Sequence, residues 1–92
     1  MQYVIYCLDK PDSLEIRKAN RDAHLAHLRK HADSIIAAGP LLTADGGGMI
    51  GSMLAMEFAS RGEADAFVAA DPYGKAGLFQ SVTVTPWKKV LP

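Results

Sequence analysis

The stretch LLTADGGGMIGSMLAMEF, residues 41–58, decides the fold. Leu41 to Ala44 reads as a short strand, Asp45-Gly46-Gly47-Gly48 as a flexible hairpin connection, and Met49 to Phe58 as the return strand. Toward the N-terminus, Gly39-Pro40 supplies a stop for a helical periodicity that runs back from Ala38 to a capping-box spacing of Asp12 with Glu15. Ahead of that helix, Tyr3 to Leu8 is a β-branched and aromatic run closed by Asp9, Lys10 and Pro11, which makes it the first strand. Toward the C-terminus, Ser60 and Glu63 form a second capping box. Pro72 ends the helix they open, because a residue before proline is pushed away from αR. Phe79 to Val90 alternates as a last strand, with Pro86 suited to a sheet edge or a bulge. The order βαββαβ, without repeats or a linker, predicts one α+β domain over residues 1–92. It is a ferredoxin-like antiparallel sheet with helices on one face.

Composition narrows the function. Ten Lys+Arg against ten Asp+Glu leave no net charge, so no long-range field favours nucleic acid or an anionic membrane. The single Cys7 lies inside an apolar strand, which excludes an intramolecular disulfide and fits a reducing, cytoplasmic setting. No stretch approaches the roughly 20 apolar residues of a membrane span, and the N-terminus lacks the basic region of a signal peptide. The strand residues free to form the second sheet face (Tyr3, Ile5, Met49, Met53, Val82, Val84 or their alternates) are too apolar to leave wet. They predict a two-fold homodimer packed sheet to sheet.

Two helical stripes are each interrupted by one charge, and the charges are opposite. Leu14, Leu25, Leu28, Ala32, Ile35 and Ile36 fall within roughly a 100° arc at about 100° per residue, and Arg21 falls inside it with His24 at its edge. In the second helix Ala64, Phe67 and Val68 lead to Asp71 where an apolar residue is due. A charge facing a core needs a partner, since an unpaired buried ion costs several kcal/mol. Asp71 is equally suited to capping a turn opened by Pro72, and Arg21 to snorkelling from the stripe into water.

His24, His27 and His31 share one side of a helix, but no acidic ligand closes the set, so neither a metal nor an organic cofactor is expected. The glycines at 46–48 sit in a hairpin and lack the strand-to-helix context of a phosphate loop. His24 beside Asp71 is the arrangement of a general base and its orienting carboxylate, with Arg21 placed to offset developing negative charge. The same contact would also serve as a purely structural staple. Ser52, Tyr73 and Trp87 are candidates to line a site for a small ring-bearing ligand; Ser52 has no neighbour in sequence to activate it as a nucleophile.

Arg21-x-x-His24-Leu25, Gly39-Pro40, Gly51-Ser52, Asp71-Pro72-Tyr73 with Ala76-Gly77, and Pro86-Trp87, in this order, resemble the pattern of the YciI-like (YCII-related) proteins. The resemblance implies a dimeric α/β-barrel arrangement, a pocket in each protomer, and an active site on a histidine and an aspartate that correspond here to His24 and Asp71. One branch of that family resembles dehydrochlorinases that eliminate HCl from chlorinated hydroxyquinols. Two function classes follow. One is a cofactor-independent lyase or isomerase acting on a small aromatic or hydroxylated anion through His24. The other is a non-catalytic dimeric binding module in which Arg21, His24 and Asp71 hold a ligand or staple the fold.

Overall fold

A computed structural model describes all of residues 1–92. Its strands are β1 (Gln2–Asp9), β2 (Ile35–Leu42), β3 (Met49–Glu57) and β4 (Phe79–Trp87), and its helices are α1 (Leu14–Arg29), α2 (Arg61–Ala70) and the single turn α3 (Pro72–Lys75). The strands form one antiparallel sheet in the order β2-β3-β1-β4, the ferredoxin-like arrangement. Both prolines inside strands lie on edges, Pro40 in β2 and Pro86 in β4, where a missing N–H breaks no ladder. No helix is long and apolar enough to cross a membrane.

Register decides which side chains meet the helices. Ile5 stands opposite Leu54 and Val84, and Cys7 opposite Ser52 and Val82, so Tyr3, Ile5, Cys7, Ser52, Leu54 and Met56 face one way. That face packs on Ala64 and Phe67 of α2 and on Phe58, and its residues are almost wholly buried. The alternates Val4, Tyr6, Leu8, Met53 and Trp87 lie on the open face; Tyr6 is 42% exposed and Trp87 38%. Of the strand residues expected to need cover, Tyr3, Ile5, Val82 and Val84 therefore point to the helices. Their neighbours in sequence take the outer face.

The first helix is shorter than its periodicity suggests. It stops at Arg29, a 3₁₀ turn spans Ala32–Ser34, and β2 begins at Ile35 rather than Leu41. Two effects compete over Ile35 to Ala38. The residues complete a helical stripe, but Ile35 and Ile36 are β-branched, and pairing Ile35 with Met56 and Ala38 with Leu54 completes the ladder of β3. The ladder wins. The expected Asp12 cap is also displaced: Ser13 holds the N-cap position, and Asp12 adopts φ 56° in the turn before it. The second capping box forms, with Ser60 Oγ accepting from the Glu63 N–H at 3.2 Å and Glu63 Oε2 accepting from the Ala59 N–H at 3.2 Å. In the hairpin, Asp45 Oδ1 accepts from Thr43 Oγ1 at 2.6 Å and from the Gly47 N–H at 2.9 Å, while Gly46 takes the φ of 77° that the turn requires.

Candidate functional site

The buried face of α1 is rotated away from its apolar stripe. Arg17, His24 and His27 are the residues of α1 that are buried, whereas Arg21 is exposed. The charge on α1 that faces the core is Arg17, seven residues before His24 and so on the same side. Arg17 is 2% exposed and grips Asp9 at the end of β1 through Nε–H to Oδ2 at 2.7 Å and Nη2–H to Oδ1 at 2.9 Å. Nη2 also donates to Ser52 Oγ at 3.0 Å. This two-pronged pairing is strong enough to offset desolvation: burial would lower the Arg17 pKa, but the hydrogen bond and charge of Asp9 hold it above its ordinary value.

Asp71 sits where the α2 C-terminus meets the first turn of α3, and one of its oxygens serves both. Oδ1 accepts from the Tyr73 N–H at 2.9 Å, the N-cap expected of Asp before Pro, and lies 2.9 Å from His24 Nδ1. Asp71 is 4% exposed and His24 6%. A carboxylate accepts, so His24 donates from Nδ1, and in the neutral imidazole Nε2 then carries the lone pair. Nε2 makes no hydrogen bond to the protein and is not sealed in as an orphan. His24 lines a cavity of about 170 Å³ between α1 and the β2–β3 half of the sheet.

That cavity gathers Arg17, Arg21, His24, Ser52 and Tyr73 around an apolar slot that includes Leu25 and Leu54. A dry cavity of about 150 Å³ holds one benzene ring, so the volume suits a single substituted ring. Arg17 Nη1 has no protein partner, and the Ser52 hydroxyl, already accepting from Arg17, retains its proton to donate. The slot thus offers a lone pair at one point and N–H and O–H donors at another. Arg21 stands on its wall with no carboxylate in ion-pair range.

Trp87, expected beside the ligand, lies elsewhere. It pairs with Gln2 on the open face, because the alternation of β4 sends Val82, Val84 and Pro86 toward the helices. His27 and His31 spend donors on backbone, His27 Nε2–H on the Phe67 carbonyl at 3.1 Å and His31 Nδ1–H on the His27 carbonyl at 3.2 Å. No three His, Cys, Asp or Glu side chains are grouped so as to hold a metal ion. Cys7 lies under the same sheet face, its thiol pushed up to about 12 by burial and by the negative Asp71, which makes it a packing residue. Asp9 and Arg17 are the site members that sequence reading overlooked; the spacing of seven between Arg17 and His24 is the signal that marks the former.

The chain matches the YCII-related domain over residues 1–88. It is 44% identical to Protein YciI of Escherichia coli O6:H1, with 98% of this chain and 99% of that one aligned. An uncharacterized protein of Haemophilus influenzae is 37% identical over the same shares. Among solved structures it is similar to 5-chloro-2-hydroxyhydroquinone dehydrochlorinase (TftG) from Burkholderia phenoliruptrix AC1100 in complex with 2,5-dihydroxybenzoquinone. The TM-score is 0.91 and the identity 43%, with 96% of this chain and 94% of that one covered. Rv0793 from Mycobacterium tuberculosis, at 21% identity and a TM-score of 0.52, shares the fold. By the span of the domain match and the identity to its relatives, the chain belongs to the YCII-related family.

Proposed function

We propose that this protein is a cofactor-independent lyase that moves protons on a small hydroxylated ring, with His24 as general base and acid. The observation that carries this is the free Nε2 of His24: its other nitrogen is tied to a buried carboxylate, and the lone pair faces a cavity the size of one ring. Asp71 fixes the tautomer and favours the imidazolium that forms when a proton arrives. Arg17 Nη1 and the Ser52 hydroxyl receive the negative charge that develops on a ring oxygen, and Arg21 attracts the anionic ligand from solvent.

The substrate of the similar dehydrochlorinase fits these roles, and elimination of HCl from a chlorinated hydroxyhydroquinone balances without an outside oxidant. His24 takes a hydroxyl proton as the oxygen becomes a ring carbonyl, and returns it to the ring carbon that carries chlorine. Loss of a second hydroxyl proton then drives the C–Cl bond to break with its electron pair on chloride, leaving a hydroxyquinone. The fourfold match of free base, orienting carboxylate, buried guanidinium and ring-sized slot supports this reading over a staple, which needs no cavity.

We further propose that the open face packs on a second copy, since Val4, Tyr6, Leu8, Met53 and Trp87 form an apolar surface there. Light scattering at micromolar concentration should give twice the chain mass.

The test of the activity is chloride release and quinone absorbance from anaerobic 5-chloro-2-hydroxyhydroquinone, with wild type and His24→Gln compared. Wild type is expected to turn over and His24→Gln to lose about 10²–10⁴-fold in rate, the usual worth of a general base. Binding of 2,5-dihydroxybenzoquinone with no chloride release would leave a binding module in place of an enzyme.

A further inference from the structure

The two buried polar residues of α1 nearest the cavity, Arg17 and His24, are seven residues apart, about 10.5 Å along one face of the helix. An aromatic ring fills the gap. Tyr73, 2% exposed, stacks on the His24 imidazole with ring centroids 4.0 Å apart and 15° between planes. The Arg17 guanidinium carbon lies 4.6 Å from the centroid of the same ring. A parallel imidazole at that spacing covers one face, so sterics leave the guanidinium the other.

We propose that Tyr73 is the positioning residue of His24, a ring clasped between imidazole and guanidinium that fixes the plane in which Nε2 faces the cavity. The inference rests on the proton-transfer role given to His24. The Asp71-Pro72-Tyr73 turn constrains the imidazole twice from one short segment: Asp71 Oδ1 holds its edge and the Tyr73 ring its face. Rotation about the His24 side chain would lose both contacts. The turn is itself locked, since the Tyr73 N–H donates to that same Oδ1. When His24 takes up a proton, two cations stand on opposite faces of one electron-rich ring instead of facing each other. Burial holds the Tyr73 hydroxyl above the ordinary tyrosine range, although the charge and hydrogen bonding of Arg17 pull the other way.

The test separates the ring from the hydroxyl and the clasp from the chemistry. In proton NMR of the intact protein, the His24 ring protons should be displaced upfield by the ring current of Tyr73, and nitrogen spectra should show Nδ1 protonated and Nε2 bare. Tyr73→Leu should scatter that signature and lower kcat by up to about 100-fold through misplacement. The affinity for 2,5-dihydroxybenzoquinone should change far less, and Tyr73→Phe should restore most of what leucine loses. His24 protons without upfield displacement in the wild type overturn the clasp even if the leucine variant fails to fold. So does a Tyr73→Leu enzyme that keeps kcat and loses only affinity, which would make the ring a ligand platform. An intact ring-current signature without turnover would sink the lyase reading and leave the clasp standing.

Discussion

Arg17 and Asp9 form a buried two-pronged ion pair, at 2.7 and 2.9 Å, between the first turn of α1 and the last residue of β1. Both side chains are almost wholly out of solvent, 3% and 6% exposed. Removing one partner strands the other's charge, so Asp9→Ala should cost about 3–5 kcal/mol. Replacing both at once, Asp9→Ala with Arg17→Met, should cost less than Asp9→Ala alone. Urea unfolding of the three proteins checks the order; a double variant less stable than the single would count against an unpaired charge as the cause.

Gly51 is required by close approach. A Cβ there would collide with the backbone carbonyl oxygen of Cys7 and press on Leu41 Cδ1 at 2.9 Å, and backbone in a paired strand cannot move aside. Gly51→Ala should therefore destabilise by about 1–3 kcal/mol or more, as overpacking does. Gly39, with nothing within 4 Å of its added Cβ, is the internal control. Gly39→Ala should stay within about 0.5 kcal/mol of wild type. Thermal unfolding of the pair reads the difference.

Element order was legible because caps and breakers are local signals. Ser60 with Glu63, Pro72, and the glycines at 46–48 each act through residues next to them in sequence. The α1–β2 boundary was not, since a helical stripe and a β-branched pair coincide at Ile35 and Ile36, and the choice belongs to Met56, twenty-one residues from its partner Ile35. The buried face of α1 was not legible either: it runs through Arg17, His24 and His27 because those side chains meet Tyr73, Asp71 and Phe67, far off in sequence, whereas the apolar stripe centres on Leu14 and Leu25. His24 and Asp71 each stand out on their own helix, and the fold brings them to 2.9 Å. Trp87 lies outside the cavity for a reason of register: alternation tells which residues share a face, but only pairing with Gln2 tells which face it is.

Asp71 combines a cap with an orienting role, and asparagine separates them. Asn is as good an N-cap as Asp and keeps an oxygen for the Tyr73 N–H, so Asp71→Asn should fold with a loss of about 1–3 kcal/mol from the weaker bond to His24. The charge that favours the imidazolium is gone. Turnover should fall by about 10²-fold or more. Unchanged kinetics with lowered stability would make the contact a staple.

His27 gives the protein a pH dependence of its own. Burial lowers its pKa below the ordinary 6.5, against the opposing pull of the Phe67 carbonyl and of Asp71, so the folded chain keeps it neutral, with Nε2–H donating to Phe67. The unfolded chain has no such bias. Below pH 6.5 it binds a proton that the native state resists, and stability therefore falls as pH drops through the lowered folded value, then levels once both states are protonated. Above 6.5 the contribution is fully present. His27→Gln keeps a side-chain N–H for the Phe67 carbonyl and has nothing to titrate. Urea unfolding at pH 7.5 and at pH 5.5 should show the wild type losing more stability between the two than His27→Gln does. Equal losses would mean that the buried imidazole is not what acid attacks.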